Sequence, residues 1–135
     1  MGTKWMDEGE NDLLNVYLGT GAKNSYLYLR LYTAPTSEPA ENISLSDLTE
    51  VSGSGYASIQ LSPSSWVISG DLATYPQQTF EAQSPNSNWG NVYGYYIATS
   101  SDNTGKLVAI NHFASPYNIQ NPGDQIRITL YIRAL

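Results

Sequence analysis

The chain has 135 residues, twelve acids against six Lys and Arg, a formal net charge of −6 and no cysteine. That length suits one domain with one continuous core. The acid excess, without any Lys/Arg cluster, argues against nucleic acid as the main partner, and the missing cysteines exclude disulfides, zinc–thiolate sites and a cysteine nucleophile.

The opening "MGTKWMDEGENDLL" has no apolar core of signal-peptide type and turns acidic at once. No stretch approaches the ~20 apolar residues of a membrane helix, so the expectation is a soluble protein made in the cytosol, with no membrane partner. Residues 1–11 read as a flexible polar arm, with Asp7, Glu8 and Glu10 around glycines and Trp5 standing alone as an anchor. The domain proper is expected over 12–135. In "NDLLNVYLG" (11–19), Leu13, Leu14, Tyr17 and Leu18 fit one helical face with Gly19 as C-cap, while Leu14, Val16 and Leu18 also fit a strand. The short helix is preferred.

From residue 25 the period is two. In "SYLYLRLYT", Leu27, Leu29 and Leu31 alternate with Tyr26, Tyr28, Arg30 and Tyr32. Residues 34–50 read as a long loop ending in one helical turn, where Ser46 or Asp47 caps and Glu50 completes a capping box. Strands follow over 55–62, 66–69 and 73–82, with Trp66 read as core and Pro76 putting the last strand at an edge or a bulge. After the loop 84–90 comes "NVYGYYIATS" (91–100). Strict alternation puts Val92, Gly94, Tyr96 and Ala98 on one face and Tyr93, Tyr95, Ile97 and Thr99 on the other. Both faces carry bulk, as in a strand covered on both sides, by its own chain or on one side by a neighbouring subunit, so the tyrosines do not form one stacking groove. "SDNTG" (101–105) turns into a strand over 106–113. In the closing "DQIRITLYIRAL", Ile126, Ile128, Leu130 and Ile132 face inward, and Arg127, Thr129, Tyr131 and Arg133 face out. The fold class is all-β, a single antiparallel β-sandwich of seven or eight strands, jelly-roll or immunoglobulin-like, with the short arm and one short helix.

Reactive chemistry finds little footing. His112 is the only histidine; beside Ser115 and an Asp it lacks a G-x-S-x-G elbow, and an imidazole metal site wants a second His. Glu81, Asp71 and Asp124 fall at strand ends or turns, where acids serve turn geometry. A glycosidase-like carboxylate pair stays open, because separation in space is not legible here. "SDNTG" has too few ligands for a Ca²⁺ loop. No catalytic, cofactor-binding or metal residue is assigned, and the chain is expected not to be an enzyme. Tyr26, Tyr28, Arg30 and Tyr32 form a face that is either covered within the chain or a subunit interface, since Tyr and Arg are enriched in hot spots. Arg127, Tyr131 and Arg133 make a second outward stripe. Trp89 reads either as a sugar-stacking platform or as a loop anchor.

The succession "LYLRLYT", "LTEVSGSGYASIQLSPSSWVIS", "ATYPQQTFEA", "WGNVYGYYIATS" and "PYNIQNPGDQIRITLYI" resembles a family of small tailed-bacteriophage virion proteins, over roughly residues 12–135. The shared features are a Gly-Tyr opening a strand, a Tyr-Pro-x-x-x-Phe strand, a W-G-x-V-x-G-Y-Y strand, and a Gly-Asp entering a final Ile-rich strand. The resemblance implies a structural role as a cement (decoration) protein on the outer head surface. It would act as a homotrimer at local three-fold positions, with the major capsid protein as partner and no cofactor. In that setting the arm would order on the capsid. The alternative is a tail-associated or fibre-tip module binding a host glycan through Trp89, Tyr93, Tyr117, Asn86, Asn88 and Asn118.

Overall fold

The computed structural model describes residues 3–23 and 26–134. In chain order these form β1 (Lys4–Trp5), α1 (Asp7–Tyr17), β2 (Leu27–Ala34), β3 (Thr49–Glu50), β4 (Ile59–Leu61), β5 (Val67–Ser69), β6 (Leu72–Glu81), β7 (Gly90–Ala98), β8 (Leu107–Ile119) and β9 (Gln125–Arg133). One sheet runs β1-β8-β7-β2-β3, with β4 also on the free side of β2, and the other runs β5-β6-β9. Every pairing is antiparallel. The result is an all-β, sandwich-like fold with one short helix.

The main core lies between the sheets. Leu29 and Leu31 of β2, Tyr95 and Ile97 of β7, and Ile126, Ile128, Leu130 and Ile132 of β9 all point into it. Period-two alternation positions them, because successive side chains of a strand take opposite faces. A second cluster covers the opposite face of the larger sheet. There Tyr32, Tyr96, Leu107 and Ile110 meet Met6 from ahead of α1 and Leu45 and Leu48 from the loop after β2. Strand β7 is thus covered on both sides within its own chain.

The sequence reading needs correcting at several places. Residues 3–11 are not a free arm. Lys4 pairs with Ile110 and Trp5 with Ala109, Met6 is fully buried, and the helix begins at Asp7. Asp7, Glu8 and Glu10 are first-turn acids beside the positive end of the helix dipole. Glu8 also accepts the backbone N–H of Leu107 at 2.9 Å. Gly9, which read as arm flexibility, is where the helix lies on β8. A Cβ there would overlap the backbone of Val108.

The capping turn after the long loop is set two to three residues earlier than expected, with Ser44 as its cap. Asp47 accepts the backbone N–H of Ser44 at 2.9 Å, and Glu50 instead lies in β3. The strand expected over 55–62 shortens to β4, because Gly53–Tyr56 closes a turn. The strand expected to end at Phe113 runs on to Ile119. Its far half pairs with the start of β7, where Gly90 faces Ile119.

Alternation along β7 also breaks once. The register shifts between Val92 and Gly94, so Val92 joins Tyr95 and Ile97 in the main core while Tyr93 packs beside Tyr96 and Ala98. Bulges reset the face a side chain takes. Gly94 sits at this bulge, pressed against Asn111 and the ring of Tyr32. Around Pro76 the β6–β9 register shifts between Tyr75 and Gln78, which is the bulge that its missing N–H suggested.

Candidate interaction surface

The tyrosine–arginine face of β2 divides. Tyr26 is exposed, Tyr28 is half-buried, and Arg30 and Tyr32 are buried inside the chain. For these last two the cover is intramolecular. Arg30 Nη2 donates to Glu50 Oε1 at 2.7 Å and Nε to Oε2 at 3.1 Å. Its Nη1 donates to the carbonyl of Asp102 at 2.7 Å, and its guanidinium lies 4.9 Å from the ring centre of Tyr96. Burial alone would lower the Arg30 pKa, but the hydrogen bond and charge of Glu50 raise it above the ordinary value. Tyr56 donates to the same carboxylate. Burial, followed by the hydrogen bond to Glu50, pushes its phenol far above the usual tyrosine range. The group works as a clamp on the turn between β7 and β8.

His112 shares a hydrogen bond with the Tyr32 hydroxyl at 2.6 Å and stacks on Tyr93. It fills a packing role at the β7 bulge. Trp89 is buried as well. Its Nε1 donates to the Ser54 carbonyl at 3.1 Å, and its ring meets Tyr56 edge-on. That is a loop anchor, and it leaves no free ring face for a sugar. Tyr93 packs at the outer cluster, whereas exposed Tyr117 abuts Phe113, which leans on the main core. Asn86 and Asn88 line one depression with Gly53, and Asn118 lies on β8 opposite Asn91, but Trp89, Tyr93 and Tyr117 do not line that depression.

On β9, Arg127, Tyr131 and Arg133 point outward and are exposed. Arg133 bonds Asp71 at 2.7 Å, and Arg127 donates to Gln125 at 3.1 Å. Trp5 does not reach out as an anchor. Its Nε1 donates to the Arg133 carbonyl at 3.0 Å, tying the edge strand of one sheet to the last strand of the other. Trp66 packs partly buried against the main core and meets Tyr75 edge-on. Among the described residues, no group of three or more His, Asp or Glu is placed to hold a metal ion, and no helix is long and apolar enough to cross a membrane.

The prominent exposed feature lies elsewhere. Of α1, only Gly9 is buried. Past it the helix presents Leu13, Leu14, Tyr17 and Leu18, which are 51%, 57%, 84% and 74% exposed. The ground between the helix and the sandwich is hollow. One depression of about 190 Å³ is lined by Trp5, Leu13, Val16 and Leu27, with Asp12 and Lys23. A second, of about 260 Å³, lies between Trp5, Leu13, Leu14 and Ala134. A third, of about 190 Å³, lies between Leu27, Tyr26, Trp66 and Ile68. Shared walls at Trp5, Leu13, Lys23 and Leu27 join them into one largely apolar surface from α1 to β5. The sequence shows these four residues of α1 and its C-terminal end, Leu13, Leu14, Tyr17 and Leu18, as one helical stripe, and the structure leaves that stripe exposed.

The chain matches no protein-family model and no curated protein.

Proposed function

We propose that this chain is a structural protein of a tailed-phage particle, a cement protein that binds the outside of the mature head and bridges capsid subunits. The observation that carries the reading is the largely apolar surface from α1 to β5. Such a surface suits stable contact with protein better than turnover of a small substrate. The order of sequence segments that resembles small virion proteins supports the same reading.

In this role the protein works by mass action. It binds the mature lattice better than dissociated capsid subunits, and so shifts the equilibrium towards the intact shell. The net charge of −6 favours solubility of the free subunit before assembly. Self-association into a homotrimer at local three-fold positions, with the major capsid protein as partner, belongs to the same proposal. Capture of the shell by an N-terminal arm does not, because Met6 is part of the core.

Immunogold labelling of intact virions tests the reading. Gold spread over the head is the expected result. Gold confined to the tail, or none on the particle, overturns it.

A further inference from the structure

The α1–β5 surface has no partner within the described residues, and its charge and area indicate what covers it. Residues 13–23 and 59–70, which carry most of it, contain no acid, although the chain holds twelve. The acids that line its depressions are Glu10, beside Leu14, and Asp12, which pairs with Lys106 at 3.5 Å, while Lys23 lines two of them. Two copies of a chain of net charge −6 repel over most of their surfaces. On this one Asp12 is paired and Lys23 adds a cation, so the repulsion is least.

The area agrees. Leu13, Leu14, Tyr17, Leu18, Tyr26 and Ile68 are between 45% and 74% exposed, or 84% for Tyr17. At roughly 100 Å² for each large apolar side chain the six offer on the order of 600 Å². A stable interface takes about 800 Å² from each partner, of which about 60% is apolar. That share is on the order of 500 Å², so the patch is large enough to supply it. The patch is thus the size that one protomer contributes to a stable self-contact, and near the upper end of what a monomer leaves bare.

Local structure points the same way. An 11-residue helix is marginal without tertiary support, and α1 takes its closest support from the sheet through its first turns, at Met6, Glu8 and Gly9. Strand β5 ends its sheet, pairing only with β6, and leaves Ile68 74% exposed. A bare apolar edge of this kind is a liability unless something covers it.

We infer that the second half of α1, together with the groove to β5, is the contact between copies of this chain, a second copy of the protein being its occupant. The inference deepens the assembly reading above and rests on it for its biological setting.

The test is the mass of the full chain by sedimentation equilibrium between about 1 and 100 µM, around the micromolar affinities of modest interfaces. The wild type is expected to associate, and the mass gives the number of copies. Leu14→Glu and Tyr17→Glu on the helix, and Ile68→Lys on β5, should each weaken association by at least about tenfold. Asn88→Glu, at the other end of β7, should leave it unchanged. These side chains are exposed, so far-UV circular dichroism should be unaltered; the β5 variant serves if a helix variant fails that control. A monomeric wild type across the range overturns the inference, as do variants that associate undiminished.

Co-sedimentation with purified heads separates the two readings. Association without head binding removes the cement role and leaves the contact standing. Head binding by a monomeric wild type, abolished by the same substitutions, makes the surface the capsid's docking site and overturns the self-contact.

Discussion

Arg30 and Glu50 form a two-pronged ion pair between β2 and β3, with Nη2–Oε1 at 2.7 Å and Nε–Oε2 at 3.1 Å; the arginine side chain is only 2% exposed. The same guanidinium holds the carbonyls of Ser100 and Asp102, so one side chain ties the free edge of the larger sheet to the turn between β7 and β8. Removing one partner of a buried pair leaves the other uncompensated, at a cost of about 3–5 kcal/mol. Glu50 is partly solvated, so Glu50→Ala should cost about 3 kcal/mol. Urea denaturation checks this, and an unchanged midpoint would mean that Arg30 has solvent access.

Helix α1 gives a prediction in which two effects oppose. On propensity alone, Gly→Ala in a helix stabilises by about 1 kcal/mol. At Gly9 the added Cβ would meet the backbone of Val108, and overpacking of that kind costs about 1–3 kcal/mol. Gly9→Ala should therefore destabilise, and Gly9→Val more so. Met6→Ala should cost about 2–4 kcal/mol, because its side chain is fully buried. A free arm would show no effect at either position in thermal melts.

Trp89 is set by its anchoring contacts. Trp89→Ala removes a buried ring and its bond to the Ser54 carbonyl, with an expected loss of about 3–5 kcal/mol. Trp89→Phe keeps part of the packing and should lose less. Full stability of Trp89→Ala in chemical denaturation would return the ring to a role at the surface.

The tyrosines set the alkaline limit. Burial raises the phenols of Tyr32, Tyr56, Tyr95 and Tyr96 above the ordinary value of 10.0, helped by the charge of Glu38 at Tyr32 and by Glu50 at Tyr56 and Tyr96. A group with a raised folded-state value contributes its stability in full below the unfolded value and loses it above. Stability should hold up to about pH 10 and then fall, as the unfolded chain ionises while the native one does not. Spectrophotometric titration should show these four tyrosines ionising only with unfolding. Their ionisation in the still-folded protein, with circular dichroism unchanged, would contradict the burial.

At the acid end the sign reverses. Thr104 holds the Asp102 carboxylate below its ordinary value of 3.8 through its hydroxyl and backbone N–H, and the backbone N–H groups of Asn121 and Gln120 do the same for Asp124. Both turns should loosen only as pH falls below about 3.8. Hydrogen exchange at Thr104 and Asn121 between pH 5 and 3 follows this; rapid exchange already at pH 5 would count against it.

Local pattern alone determined β2 and β9. Alternation in β2 and β9 named the inward Leu and Ile residues correctly, because a pleated chain sends neighbours to opposite faces whatever lies beyond them. Pro76 marked its bulge for an equally local reason, a missing N–H. Three things were decided by tertiary structure. Tyr32 is buried because Leu45 and Leu48 fold back over the second face of the sheet, and Arg30 because Glu50 and the turn between β7 and β8 close over it; nothing in "YLYLRLY" encodes that cover. Residues 3–11 are strand and helix because β8, about a hundred residues later in the chain, offers Met6 a pocket and Gly9 a flat backbone. The leucines of α1 form a genuine helical stripe, yet they stay exposed, because the helix packs closely on the sheet only at Gly9. Periodicity fixes which side chains share a face; only the packing of distant segments fixes whether that face meets the chain's own core or is left for something else.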